Sequence, residues 1–259
     1  MSVFVQSLSF AYGKTPVLED ISFSLEKGRL VFLLGPNGVG KSTLFKCMLG
    51  LLRDYSGTIQ IDGQSLAAFS PRRLAQQIAY IPQSNYPAFN YTVLDMVLMG
   101  TSARIHAMAT PGKQEEGIAM AALDRLGIAD FANRSFMQIS GGERQLVLIA
   151  RALAQRSSIL LMDEPTANLD YGNQIRVLSS IRALSEEGYS VLLSTHHPEQ
   201  AFLFSHEIIA MKEGRLLATG TPKETITSEL IWQLYGIRTE IESLQGDRMR
   251  ICVPTDMLS

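Results

Sequence analysis

Apolar and polar positions alternate along the first sixty residues, and turns interrupt them often. VFVQSLSF (3–10), VLEDISFSL (17–25), LVFLLG (30–35) and GTIQIDG (57–63) read as short strands. A helix is predicted from Lys41, with Gly50 as its C-terminal stop. From about Ser84 to Ser158 the pattern turns helical. TVLDMVLMG (92–100) reads as one helix. PGKQEEGIAMAALDRLG (111–127) reads as another, with Pro111 near its first position, Glu115 and Glu116 in its first turns, and Gly127 as its C-cap. Its predicted core face is Ala119, Ala122, Leu123 and Leu126. SNYPAFN (84–90) reads as a flexible hinge into this region. ISGGERQLVLIARALA (139–154) is a Ser-Gly-Gly turn followed by a helix whose Leu146, Ile149, Ala150 and Leu153 share one apolar face.

Strand and helix then alternate. The strands are SILLMDE (158–164), SVLLSTH (190–196) and EIIAMKEG (207–214), with helices after Asp170 and Pro198. ILLM and VLLS are apolar without alternation, as suits parallel strands buried on both faces. Residues 221–235 read as a last core helix and 237–254 as a small terminal hairpin. The expected layout is an α/β core with a helical insertion and a mostly β N-terminal part. The chain shows no internal repeat and no low-complexity linker.

Composition narrows the function classes. A chain of 259 residues suffices for one large domain or two small ones. A net charge of −2 lacks the basic excess of a nucleic-acid binder, so no nucleic-acid partner is expected. Cys47 and Cys252 lie far apart without metal-like spacing and read as reduced thiols. The opening MSVFVQSLSF has neither the basic nor the apolar region of a signal peptide. No apolar run reaches the roughly 18 residues of a membrane helix, so a role at a membrane would need another polypeptide.

The candidate chemistry begins at GPNGVGKST (35–43). Gly35, Pro36, Asn37, Gly38, Val39, Gly40, Lys41 and Ser42 match the P-loop pattern, between an apolar strand and a helix, and Thr43 follows. The glycines let the backbone wrap a phosphate, Lys41 reaches the β- and γ-phosphates, and the Ser42 hydroxyl is a Mg²⁺ ligand. LLMDE (160–164) sets Asp163 and Glu164 at the end of a buried strand. Asp163 is placed to hold a Mg²⁺ shell, and Glu164 to polarise or deprotonate a water. Gln83 and His196 also stand just past apolar strands, where ligands of open α/β sheets gather. The Ser140-Gly141-Gly142 turn opening a helix is a second anion-binding element.

With SGGE (140–143), LLMDE (160–164), NLD (168–170) and TH (195–196) following the P-loop in that order, the chain resembles the ATP-binding cassette (ABC) ATPases over roughly residues 2 to 235. The resemblance implies a P-loop NTPase cassette with a mixed core sheet, an N-terminal antiparallel β subdomain and an inserted helical subdomain. The cassette would span residues 1–236, with the insertion at about 84–158 and a short C-terminal extension at 237–259. ATP and Mg²⁺ are the implied substrate and cofactor. Tyr12 matches the adenine-stacking aromatic, with Phe10 as the second choice. Gln83 matches the glutamine that contacts Mg²⁺ and the water. Ser140, Gly141, Gly142 and Glu143 match the signature motif, Asp170 the D-loop at the subunit interface, and His196 the histidine that contacts the γ-phosphate.

The family also implies a head-to-tail dimer in which each nucleotide lies between the P-loop of one chain and the signature of the other. That explains two glycine loops with only one phosphate-binding lysine. The signature reads ISGGE where LSGGQ is usual. Glu143 therefore puts a carboxylate where an amide is common, and the nucleotide contact falls to the serine and glycines. His197 stands where the family often has Asp.

Among cassettes, the Lys41-to-Ser140 spacing leaves no room for a long coiled-coil insertion, and a single P-loop is not a tandem protein. YTVLDMVLMG, SGGERQLVLIARALAQ and the short C-terminal end are similar to ATPases of importers for iron–siderophore complexes, haem and cobalamin, a group that includes a molybdate or tungstate relative. This resemblance implies separate permease subunits contacting the segment 84–110, an indirect link to a substrate-binding protein, and a place at the cytoplasmic face of the cell membrane. An exporter ATPase and a soluble cassette scaffold or assembly factor share the same motifs.

Overall fold

The computed structural model describes residues 2–83, 89–105, 110–246 and 249–255. In chain order the elements are β1 (Val3–Tyr12), β2 (Thr15–Leu25), β3 (Leu30–Leu34), α1 (Lys41–Met48), β4 (Ser56–Ile61), β5 (Gln64–Ser65), α2 (Pro71–Ala75), β6 (Ile78–Ile81), α3 (Val93–Leu98), α4 (Lys113–Arg125) and α5 (Gly141–Ala154). They continue with β7 (Ile159–Asp163), α6 (Tyr171–Glu186), β8 (Ser190–Thr195), α7 (Pro198–Phe204), β9 (Glu207–Lys212), β10 (Arg215–Gly220), α8 (Pro222–Thr225), α9 (Ser228–Tyr235), β11 (Thr239–Leu244) and β12 (Met249–Pro254). The chain divides into two compact units, Met1–Ala68 with Ser185–Ser259, and Phe69–Leu184.

In the first unit, β2, β1, β4 and β5 form an antiparallel sheet in that order. The period-two pattern of β1 would carry Ser7 inward after Val3 and Val5. A bulge prevents this. Ser7 has φ +47, the register with β2 shifts between Val5 and Leu8, and Leu8 and Phe10 take the buried positions instead. The same unit holds β10, β9, β3 and β8 as neighbours, with β3 parallel to both β9 and β8 and β10 antiparallel to β9. Every residue of β3 and β8 is buried, which matches their unbroken apolar character. The hairpin β11–β12 pairs from Thr239 opposite Pro254 to Leu244 opposite Met249.

In the second unit, β6 and β7 pair in parallel, Ile78 opposite Ile159 through Ile81 opposite Met162. Helices α3, α4 and α5 pack on one another. The face of α5 read from the sequence is buried at Leu146, Ile149, Ala150 and Leu153. On α4, Ala119, Ala122 and Leu123 are buried and Leu126 is half-buried.

Several local expectations differ from the structure. Pro111 lies ahead of the N-cap, which is Gly112, so α4 begins at Lys113. Residues 221–235 form two helices rather than one. The backbone is extended at Ile226 and Thr227, and the Thr227 hydroxyl then caps α9 by accepting from Leu230 N at 3.1 Å. Residues 84–88 of the expected hinge lie outside the described residues, and Phe89 beyond them is exposed. Both cysteines are free thiols, and burial pushes Cys47 up to about 11 and Cys252 up to about 12, which disfavours the thiolate form. Among the described residues no helix is long and apolar enough to cross a membrane.

Candidate functional site

In the first unit, β3 delivers the chain into the loop 35–40. Gly35 is a packing glycine: a Cβ there would stand 2.2 Å from the carbonyl oxygen of Met211. Gly38 and Gly40 are conformational, with φ +83 and +106. Gly40 is the N-cap of α1, and the first helical bond runs from Leu44 N to Gly40 O at 2.9 Å. The amides of Lys41, Ser42 and Thr43 therefore lie outside the helical ladder, which is what an anion at a helix N-terminus requires. Lys41 is only 6 % exposed, and its Nζ donates to Gly35 O at 2.6 Å and Pro36 O at 2.9 Å. The loop's own carbonyls thus hold the ammonium over the loop. Asn37, Gly38 and Ser42 are exposed, while Pro36, Val39 and Thr43 are half-buried.

Tyr12 ends β1 with its ring exposed, edge-on to Phe10 at 4.9 Å. Phe10 is buried behind it, so Tyr12 alone of the two is available for stacking. His196 leaves the end of β8. The backbone there is pinned, since Gly35 N donates to Thr195 O at 3.2 Å and His197 N donates to the Thr195 hydroxyl at 3.1 Å. The two imidazoles lie 4.1 Å apart.

In the second unit, the parallel pairing of β6 and β7 brings their C-terminal ends together. Gln83, two residues past β6, donates from Nε2 to Glu164 Oε2 at 3.2 Å. Tyr80 Oη donates to Asp163 Oδ2 at 3.3 Å. Burial, and then the neighbouring carboxylate, push the Tyr80 phenol up to about 12, so it stays a donor at any physiological pH. Asp163 is buried and Glu164 half-buried. Glu164 holds a left-handed backbone, φ +45, a conformation that costs a non-glycine residue about 1–3 kcal/mol and that recurs at functional positions.

The signature turn is a reciprocal cap. Ser140 Oγ accepts from Glu143 N at 3.3 Å, and Glu143 Oε2 accepts from Ser140 N at 2.7 Å. These bonds hold the Glu143 carboxyl below its ordinary range. The carboxylate that departs from the usual motif therefore orders the serine. Gly142 is buried against Asn173, where a Cβ would come within 2.4 Å of that side chain, and Gly141 lies close to Leu169. Asp170 accepts from Asn173 N at 2.9 Å and Asn173 Nδ2 at 2.8 Å, which lowers its pKa. The signature turn and the 168–170 loop are thus packed together by Asn173.

Sequence reading missed Tyr80, Asn173 and Tyr235, whose Oη donates to His196 O at 3.1 Å. Tyr80 lies on β6, three residues before Gln83, but nothing in the spacing ties it to a residue 83 positions away.

Taken one by one, the Mg²⁺ ligands expected from the sequence suit the ion by the chemistry of each donor. The Ser42 hydroxyl, the Asp163 carboxylate and the Gln83 amide oxygen are hard oxygen donors. No group of three or more His, Cys, Asp or Glu forms a metal cage among the described residues, and an ion sharing its shell with phosphates needs none.

The family model described as ABC transporter matches residues 18–167. An uncharacterized ABC transporter ATP-binding protein of Haemophilus influenzae is 42 % identical over 241 residues, covering 93 % of this chain and 92 % of that protein. The iron(3+)-hydroxamate import ATP-binding protein of Bacillus subtilis is 33 % identical over 258 residues, 99 % and 96 % of the two chains. A solved structure described as of an ABC transporter of metal-chelate type, in an inward-facing conformation, superposes with a TM-score of 0.89 at 33 % identity, covering 100 % of this chain and 99 % of that one.

Proposed function

This chain belongs to the ABC transporter family, and from that premise we propose that it drives import of a metal chelate such as an iron–siderophore complex, haem or cobalamin. It is an ATP-binding subunit whose ATP hydrolysis is coupled to transport. The observation that carries the importer reading is the end-to-end likeness to an iron(3+)-hydroxamate import ATP-binding protein.

In this reading Gly35 to Thr43 wrap the phosphates of ATP. Lys41 exchanges its carbonyl contacts for phosphate oxygens, and Tyr12 stacks on adenine. Mg²⁺ would be held by Ser42, Asp163 and Gln83, and would offset charge on the β- and γ-phosphates. Gln83 orients the Glu164 carboxylate, which accepts a proton from the attacking water. His196 contacts the γ-phosphate.

Two copies pair head to tail, and Ser140, Gly141 and Gly142 of one close over the γ-phosphate bound to the other. Glu143 holds that serine in place, and Asp170 lies at the dimer interface. Loss of the γ-phosphate removes the bond between copies and opens the dimer. The cassette spans residues 1–236 with its helical insertion at about 84–158, and the segment 237–259 is an extension. Separate permease subunits receive the motion at the cytoplasmic face of the membrane, and a substrate-binding protein supplies the chelate.

Affinity purification of the tagged chain from detergent-solubilised native membranes, with mass spectrometry, tests the reading. A co-purifying permease of many helices supports the importer. A permease of few helices would indicate an exporter, and a chain that remains soluble and alone would indicate a scaffold.

A further inference from the structure

We propose that Tyr235 is a positioning residue for His196, so that the last core helix, α9, sets the geometry of the histidine that meets the γ-phosphate. The proposal rests on the reading of His196 given above.

The backbone from Thr195 to His197 is fixed at two points by the strand and the P-loop, through Gly35 N on Thr195 O and His197 N on the Thr195 hydroxyl. The second of these bonds holds the N–H side of the peptide that follows His196 and leaves its carbonyl side to another donor. Its carbonyl accepts from Tyr235 Oη at 3.1 Å, across 39 residues of sequence. The donor is mounted rigidly. Tyr235 is the last residue of α9, which Thr227 caps at one end and Gly236, at φ +71, ends at the other. Leu230, Ile231 and Leu234 bury the helix, and the Lys212 ammonium donates to the carbonyl of Gln233. A half-buried phenol on such an element is a fixed strut.

A rotation of the peptide after His196 would swing its imidazole, whose ring centre lies 4.1 Å from that of His197. Tyr235 on the carbonyl side, with the Thr195 hydroxyl on the N–H side, opposes that rotation and acts on the imidazole through the backbone. Groups fixed in this way contribute to the rate by holding reacting geometry, and one hydrogen bond of ordinary strength corresponds to a change of about fivefold.

The test is ATP hydrolysis by the full chain with Tyr235→Phe, His196→Ala and both together, with turnover normalised to titrated ATP-binding sites. Phe keeps the ring and its packing and removes only the donor. The expected result is a fall in kcat of about fivefold for Tyr235→Phe, with KM for ATP within about twofold. His196→Ala falls much further, and the double variant equals His196→Ala in residual turnover. Unchanged kcat in Tyr235→Phe beside a strongly impaired His196→Ala overturns the proposal and leaves the role of His196 standing. An equal loss from Tyr235→Phe with and without His196 also overturns it, since that marks a general structural effect. Full turnover in His196→Ala removes the reading of His196 and the proposal with it.

Discussion

The Asn173 side chain stands where a Cβ at Gly142 would have to be, so a residue of α6 by itself requires glycine at that position. Gly142 lies in the first turn of α5, where alanine would ordinarily stabilise a helix by up to about 1 kcal/mol. Overpacking costs about 1–3 kcal/mol and wins here. Gly142→Ala should lower the denaturant midpoint in the natural background and raise it in Asn173→Ala. The same sign in both backgrounds would show that Asn173 is not the obstacle.

Lys41→Ala removes a buried ammonium already aimed over the loop by Gly35 O and Pro36 O. Charge-assisted bonds to phosphate are strong, and ATP affinity should fall by about 100-fold or more. Equilibrium binding with a fluorescent ATP analogue reads this directly, and unchanged affinity would contradict the P-loop role.

Glu164→Gln keeps the shape of the side chain facing Gln83 and removes its basicity. ATP binding should persist while kcat falls by about 10²- to 10⁴-fold, the range of a lost general base. A variant that turns over normally would exclude Glu164 as the base.

Glu143 predicts a pH dependence of stability. Its carboxyl is held below its ordinary range by bonds from Ser140. A carboxylate with a depressed folded pKa stabilises the fold above its unfolded pKa, and that contribution is lost as pH falls through the folded value. Urea midpoints of the natural chain and Glu143→Gln should therefore differ most near neutrality and converge in acid, below about pH 4. Asp170 is lowered in the same sense, so the comparison must be between the two chains at each pH and not along one curve. A gap that is constant with pH would rule out the charged cap.

The strands, the P-loop and the two carboxylates of LLMDE were legible because each is a local pattern. Unbroken apolar runs gave β3, β7 and β8, and a glycine loop between strand and helix gave Lys41. Strand β10 escaped because its alternation is weak and its residues are half-exposed at a sheet edge. Helix α2 escaped because it is five residues long, although Ser70 ahead of Pro71 is a readable cap. The supporting residues Tyr80, Asn173 and Tyr235 act through contacts that no spacing encodes. Glu143 shows the opposite case. The departure from the usual motif was visible, but the Ser-x-x-Glu spacing that marks a serine cap went unread until the structure showed it.

In the proposed dimer, two copies of this chain share ATP between the P-loop of one and the Ser140 turn of the other. Sedimentation of Glu164→Gln with saturating ATP and Mg²⁺ tests it most directly. A species of twice the 28.6 kDa chain mass is expected with ATP, the single chain with ADP, and no dimer when Ser140→Arg is added. A single chain that binds ATP fully and never pairs would contradict it.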